Sequence, residues 1–217
     1  YFGGVNYFNP EYEIYTRYSY SSNEKKGLSN PVVGRTIEDR DGNLWIGTEG
    51  GGLNYYNRRT REFKWYRPQE GRNSISHNNV KALYYDADKE IIWIGTHLGG
   101  LNKLDIRSGH FTHYRMEEGN PNTLPSDIIR DIIPYKSLLI IATQNGVCLF
   151  DPANGQCQQL FKDSKEGKSI KMVADVTFDS EGTLWIAATG EGVFSYRFDT
   201  CRLTNYRHDA TNPNSLS

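Results

Sequence analysis

What this sequence has little of narrows the field before anything else does. No stretch spaces its apolar residues at the helical period, so a helical bundle is excluded as its basis. No apolar run approaches the roughly 18 residues that a membrane-spanning helix needs. Neither sign of charge is in excess, since 25 Lys and Arg stand against 26 Asp and Glu for a net charge of -1. That balance offers no electrostatic case for nucleic acid as a partner. A Gly-x-Ser-x-Gly elbow and a helical His-x-x-x-His pair are both missing, which leaves two common hydrolytic chemistries without their signatures. What the 217 residues do hold is 37% hydrophobic and 13% aromatic residues, enough for a sizeable core.

Those residues recur on a beat. The steps Gly4-Val5, Gly52-Leu53, Gly100-Leu101, Gly146-Val147 and Gly192-Val193 return at intervals of 48, 48, 46 and 46 residues. Ahead of the last four stand Trp45, Trp93, Leu139 and Trp185, each inside an apolar run such as Leu44-Trp45-Ile46-Gly47-Thr48. Behind the five anchors come the pairs Tyr15 and Tyr18, Phe63 and Tyr66, Phe111 and Tyr114, Cys157 and Leu160, Leu203 and Tyr206. A period of this size filled with strand formers predicts an all-β fold, a β-propeller of four-stranded antiparallel blades.

Each unit divides into four strands by its alternation and its turn residues. In one unit the strands are expected at 80–85, 91–96, 100–104 and 110–115, with turns between them. Asp41-Gly42, Asp151-Pro152 and Glu181-Gly182 supply turn chemistry. The Gly-Gly pairs suit a tight turn and close backbone approach. The second-strand tryptophans read as wedges between blades, each burying on the order of 200 Å². At about 47 residues per blade, residues 1–27 read as a half blade. Residues 28–74, 75–123, 124–169 and 170–213 read as complete blades, and 214–217 as the start of another. The tail Asn214-Ser215-Leu216-Ser217 matches the lead-in Asn73-Ser74-Ile75-Ser76. Propellers hold about four to eight blades, so the chain is expected to be a fragment of a larger polypeptide.

The string from Asp39 through Gly42-Asn43-Leu44-Trp45-Ile46-Gly47-Thr48 to Asn54, with the lead-in from Asn73 to Val80, resembles the two-component regulator propeller repeat. The resemblance runs along essentially the whole chain. The third unit departs from it, with Leu139 for Trp and Tyr135-Lys136 for Asp-Gly. Such repeats are similar to those in periplasmic sensor regions of hybrid two-component systems of glycan-foraging Bacteroidetes. There, two seven-bladed propellers precede an immunoglobulin-like domain, a membrane helix, a histidine kinase and a DNA-binding response regulator. The resemblance implies a periplasmic sensor of glycan breakdown products, working as a homodimer through the full-length protein. Only segments outside this sequence would touch membrane, the kinase would lie elsewhere, and the fragment itself would not be an enzyme.

With the first strand innermost, the loops joining strands two and three share a face with the links between blades. Positions that break the repeat are the better ligand candidates there, because scaffold duty already explains sameness. This selects Arg35, His77, His97, Asp127, Arg130 and Asp175 as polar groups able to orient an oligosaccharide or an acidic sugar. The Tyr-Arg steps at Tyr66-Arg67, Tyr114-Arg115 and Tyr206-Arg207 suit anionic glycans in principle. Their regularity argues instead for edge-protecting or linking charges.

No catalytic residue, cofactor or metal is expected. Carboxylates adjacent on a strand, such as Glu38 and Asp39, face opposite ways and cannot readily flank one bond. Asp39-Arg40-Asp41-Gly42-Asn43 starts like a calcium loop but lacks the Glu at its twelfth position, and a plain turn explains it. His110 and His113 likewise point to opposite faces of a strand. Cys148 and Cys157 lie on neighbouring strands of one hairpin and could form a disulfide, but Cys157 fills the apolar slot of Phe63 and Phe111, which favours buried thiols. Two other readings stand beside the sensor: a propeller-shaped carbohydrate-active enzyme, and a passive protein-interaction scaffold. Lack of a regular Gly-His and Trp-Asp signature weighs against the scaffold families that carry one.

Overall fold

A computed structural model of the chain describes residues 5–9, 14–164 and 167–216. The first anchor, Gly4, and the last lead-in residue, Ser217, lie outside the described residues. The chain forms two compact units, Tyr1–His113 and Tyr114–Ser217. The fold is all-β, and its four-stranded antiparallel sheets are propeller blades. Among the described residues the helical segments are the short 3-10 turns Glu24–Lys26 and Gly167–Ser169.

Unit one opens with a hairpin of β1 (Val5–Asn9) and β2 (Ile14–Tyr18), in which Val5 lies opposite Tyr18. Its first full sheet contains β3 (Val33–Glu38), β4 (Leu44–Thr48), β5 (Gly52–Asn57) and β6 (Glu62–Tyr66). The second contains β7 (Val80–Asp86), β8 (Ile91–Thr96), β9 (Leu101–Asp105) and β10 (Phe111–Tyr114). Strands are hydrogen-bonded in chain order in both sheets, and the two first strands, β3 and β7, run beside each other. Strand β4 is buried at every position, as is β8, because both of their faces are covered.

Trp45 shows why the sheets stack. Its side chain is 1% exposed and shares a core with Leu53, Ile75, Val80 and Leu83, so the apolar face of one sheet closes on the inner strand and lead-in of the next. The Tyr55 and Tyr66 rings pack on it at 4.6 and 5.7 Å between centroids. The lead-in works as an anchor in its own right. Ile75 is buried, and Ser76 donates its backbone N–H to the Asn102 side chain at 2.8 Å; Ser29 does the same to Asn54 at 2.7 Å. In both sheets of unit one a buried Asn on the third strand therefore buckles the lead-in to its own sheet.

Unit two repeats the plan with β11 (Ile129–Tyr135), β12 (Leu138–Thr143), β13 (Gly146–Phe150) and β14 (Cys157–Gln159), then β15 (Val173–Phe178), β16 (Leu184–Ala188), β17 (Gly192–Arg197) and β18 (Arg202–Tyr206). The departure at Leu139 has a local remedy. Leu139 is buried, while Tyr135 stacks on Phe198 and Phe178 at 4.3 and 5.5 Å, supplying aromatic contact between the two sheets from a different strand. Lys136 turns the hairpin with φ of 55°, replacing the longer Asp-Gly turn. Trp185 is only half-buried, and its neighbour Tyr206 remains 44% exposed.

The Asp-x-x-Gly turn ahead of Trp45 and of Trp185 has a mechanical role. In the first sheet Asp39 Oδ1 accepts from the backbone of Asp41 and Asn43 at 3.0 and 2.9 Å, while Oδ2 accepts from the Trp45 indole at 3.0 Å. Asp179 repeats the arrangement with Glu181, Thr183 and Trp185 at 3.0, 2.9 and 2.8 Å. One carboxylate thus closes the turn and aims the tryptophan, which is why the string resembles a calcium loop without needing the ion. The Trp185 indole, followed by the Thr183 backbone, holds the Asp179 carboxyl below its ordinary range. Such a group contributes stability above the unfolded-state value, and the contribution fades as pH falls through the depressed folded value. Asp179→Asn is therefore expected to reduce the loss of stability that unit two suffers from about pH 4 downward, as read from urea midpoints across that range.

Candidate functional site

The loops between second and third strands meet the lead-ins on one face of each unit. In unit one Gly50 and Gly52 donate backbone N–H groups to the Asn78 carbonyl at 3.2 and 2.7 Å, and His97 donates to the Asn79 carbonyl at 2.9 Å. Gly51 and Gly99 both come close to a lead-in: a Cβ on Gly51 would lie 2.3 Å from Ser29 Oγ, and one on Gly99 2.5 Å from Ser76 Oγ and 2.7 Å from His77 Cβ. Glycine at these positions lets the lead-in pass against the turn. In unit two Met172 donates its N–H to the Gln144 carbonyl at 2.7 Å, so the same face is assembled there.

Two sequence-selected residues come together in unit one. The His77 and His97 rings stand 6.4 Å apart at 63°. His77 Nδ1 accepts from the Asn79 backbone at 3.0 Å, which places the proton of the neutral ring on Nε2. His97 Nδ1 and Asn79 Oδ1 are both buried without a hydrogen-bond partner. Beside them Glu49 pairs with Lys81. The arrangement offers donors, acceptors and two imidazoles within one loop cluster.

Next to His97 in the same turn stands Leu98, a residue that repeat-breaking polarity alone does not single out. It is 56% exposed with φ of 74°. Gly50 and Gly190 hold the equivalent turn position with φ of 105° and 78°. A leucine in the left-handed region costs roughly 1–2 kcal/mol, and this one recovers little of that by burial. An exposed apolar side chain thus sits at a strained turn. The signal was present in the sequence as Leu in a Gly slot, but only the dihedral shows that the slot demands glycine.

The other selected residues separate into distinct roles. Arg35 is exposed on β3, within a register break between Val33 and Thr36. Arg130 occupies the break between Ile129 and Asp131 on β11, and Asp175 ends the break on β15. On β7 the equivalent break holds Lys81, the member that sequence comparison missed. A bulge turns a side chain out of the regular pleat and is common where a strand must present a group. Asp127 is committed differently: it accepts from the Met116 backbone at 2.8 Å and pairs with Arg115 at 3.3 Å, bracing the 116–127 link. Asp131, also missed, is buried and accepts from the backbone of Ile132 and Val176 at 2.9 and 3.4 Å, tying β11 to β15.

The Tyr-Arg steps serve as links. Arg67 lies over the Trp65 ring at 4.5 Å and donates to the Ser29 carbonyl at 3.3 Å, and Arg207 reaches Ser169 Oγ at 3.2 Å and Glu191. These guanidinium groups hold fourth strands to lead-ins. Among the described residues no group of three or more His, Cys, Asp or Glu side chains is arranged to hold a metal ion.

The family model described as "Two component regulator propeller" matches residues 27–50 and 74–97. No curated protein matches the chain. Among solved structures, the chain is similar to the extracellular domain of BT3049 of B. thetaiotaomicron, assigned as a hybrid two component system. That match has 23% identity and a TM-score of 0.76, over 95% of this chain and 28% of the other. It is also similar to the extracellular domain of BT4673 of the same organism, assigned as a one component system, with 22% identity and a TM-score of 0.75 over 96% and 29%. A third likeness is PorZ of Porphyromonas gingivalis, a surface component of the type-IX secretion system, with 17% identity and a TM-score of 0.65 over 87% and 28%. The chain spans less than a third of the length of these structures.

Proposed function

We propose that this chain, which carries two-component regulator propeller repeats, is part of the periplasmic ligand-reading region of a two-component sensor, and that its loop face takes a glycan breakdown product. The full-length protein in this reading is a homodimeric hybrid histidine kinase, and the propeller part turns over no substrate. Leu98 carries the reading. An exposed apolar side chain held at backbone cost, next to the His77 and His97 rings, suits a ligand with both apolar and hydroxyl faces, as a sugar ring has. A ligand shifts a signalling equilibrium only by its difference in affinity between the two states. The loop cluster is a place where such a difference could arise, because it joins a turn of one sheet to the lead-in of the next.

The test is calorimetric titration of the chain with a panel of neutral, uronic and sulfated oligosaccharides, with product analysis alongside. Saturable binding without turnover is expected, and loss of substrate would favour the enzyme. Leu98→Gly separates ligand duty from scaffold duty. It is expected to raise stability by about 1 kcal/mol through relief of the left-handed strain while weakening glycan binding several-fold. Unchanged affinity would remove Leu98 from the site, and a loss of stability would show that its side chain serves the fold. Arg35→Ala with Arg130→Ala tests the bulge residues in the same titration, where reduced affinity for the anionic members of the panel is expected.

A further inference from the structure

We infer that Cys148 and Cys157 are a disulfide site of the third sheet, closed while the chain folds. Their Sγ atoms lie 3.1 Å apart on neighbouring strands β13 and β14, and both residues are buried. The register pairs Phe150 with Cys157 and Cys148 with Gln159, so the two cysteines are diagonal neighbours with side chains on the same face. Diagonal positions stand farther apart than directly opposite ones, so the pairing rests on the two side chains turning toward each other, which brings their sulfurs to 3.1 Å.

Comparison between repeats strengthens the assignment. Cys148 holds the place of Asn54 and Asn102, and Cys157 that of Phe63 and Phe111. Both exchanges occur in the same repeat, and the exchanged residues touch. This repeat also has the shortest outer strand, three residues at Cys157–Gln159, and holds no aromatic at either of the pair positions, where the other repeats keep one or two. A covalent bond between β13 and β14 would take the place of such an aromatic. Cys201 stands apart, exposed in the turn before β18.

The chemistry is a two-electron oxidation. Two thiols lose two protons and two electrons and form one S–S bond. The acceptor is a disulfide of the thiol–disulfide oxidant class, which passes through a mixed disulfide and leaves as a dithiol. Burial pushes the Cys148 thiol well above its ordinary range, so the folded dithiol is a poor nucleophile and reacts slowly. Closure therefore belongs to the folding chain, before β14 covers the pair. The inference rests on geometry within one hairpin and stands apart from the ligand reading. A compartment that supplies such an oxidant is an oxidising one.

The experiment refolds the reduced, denatured chain in a buffer of oxidised and reduced glutathione, and counts thiols under denaturing conditions by alkylation and intact mass. One reactive thiol, mapped to Cys201, is expected, with the mass lower by two hydrogens than that of the fully reduced chain. The Cys201→Ser variant should then show none. Reductant is expected to lower the melting temperature by roughly 5–10 °C, and to leave the Cys148→Ala, Cys157→Ala double variant unmoved. Three reactive thiols after oxidative refolding, or a bond that includes Cys201, would overturn the assignment.

Discussion

Trp45→Ala is expected to destabilise unit one by about 3–5 kcal/mol, and Trp185→Ala to cost unit two markedly less. The two residues hold the same place in the repeat and make the same indole bond to an Asp-x-x-Gly turn. They differ in what covers them. Trp45 is 1% exposed inside a core that draws on both sheets of its unit, so its removal leaves a cavity bounded by Leu53, Ile75, Val80 and Leu83. Trp185 is half-buried, and part of its surface faces solvent beside Tyr206 and Leu216. Less apolar area returns to water when it is truncated, and water can enter the gap. Urea unfolding of each variant, followed at constant slope, measures the difference. Equal losses would mean that packing between neighbouring sheets adds little to what a sheet supplies alone, and the account of Trp45 as a wedge would fail.

Asp39→Ala should rank next, with a loss on the order of 3 kcal/mol. The carboxylate accepts from two backbone N–H groups and from an indole that belongs to a fully buried ring. Truncation leaves the N–H of the buried Trp45 ring without its acceptor and opens the turn that joins β3 to β4. The asymmetry between making a hydrogen bond and leaving a buried group unmade sets the size of the effect. Asp39→Asn keeps one acceptor oxygen but turns an NH₂ toward donors, so it is expected to recover part of the loss. Thermal unfolding of the two variants, with Trp fluorescence reporting the indole environment, provides the measurement. A silent Asp39→Ala with unchanged fluorescence would return this turn to the status of ordinary loop.

The beat of Gly-Leu, Trp and aromatic pairs was enough to place the strands, because a blade must put a glycine at its tight turn and a large apolar side chain against its neighbour every time it recurs. In the worked unit, strands expected at 80–85, 91–96, 100–104 and 110–115 appear at Val80–Asp86, Ile91–Thr96, Leu101–Asp105 and Phe111–Tyr114. The ends differ by a residue because a ladder stops where its last hydrogen bond does. The candidate site was less legible. His77 and His97 were named from their departure from the repeat and prove to be neighbours, whereas Lys81, Leu98 and Asp131 were passed over. A bulge has no reliable sequence signature, and a positive φ at Leu98 is a property of the turn rather than of leucine.

By itself the sequence determined the all-β blade architecture and the residues that wedge and turn each sheet, since periodic burial writes itself directly into residue type. Only the tertiary structure decided which polar groups are spent on scaffold and which remain available. Asp127 was selected along the chain as a ligand candidate, yet its carboxylate is committed to the Met116 backbone and to Arg115 in a link. Whether a polar side chain is already satisfied depends on atoms brought near it by folding, from a dozen to several dozen residues away, and a local pattern carries no record of them.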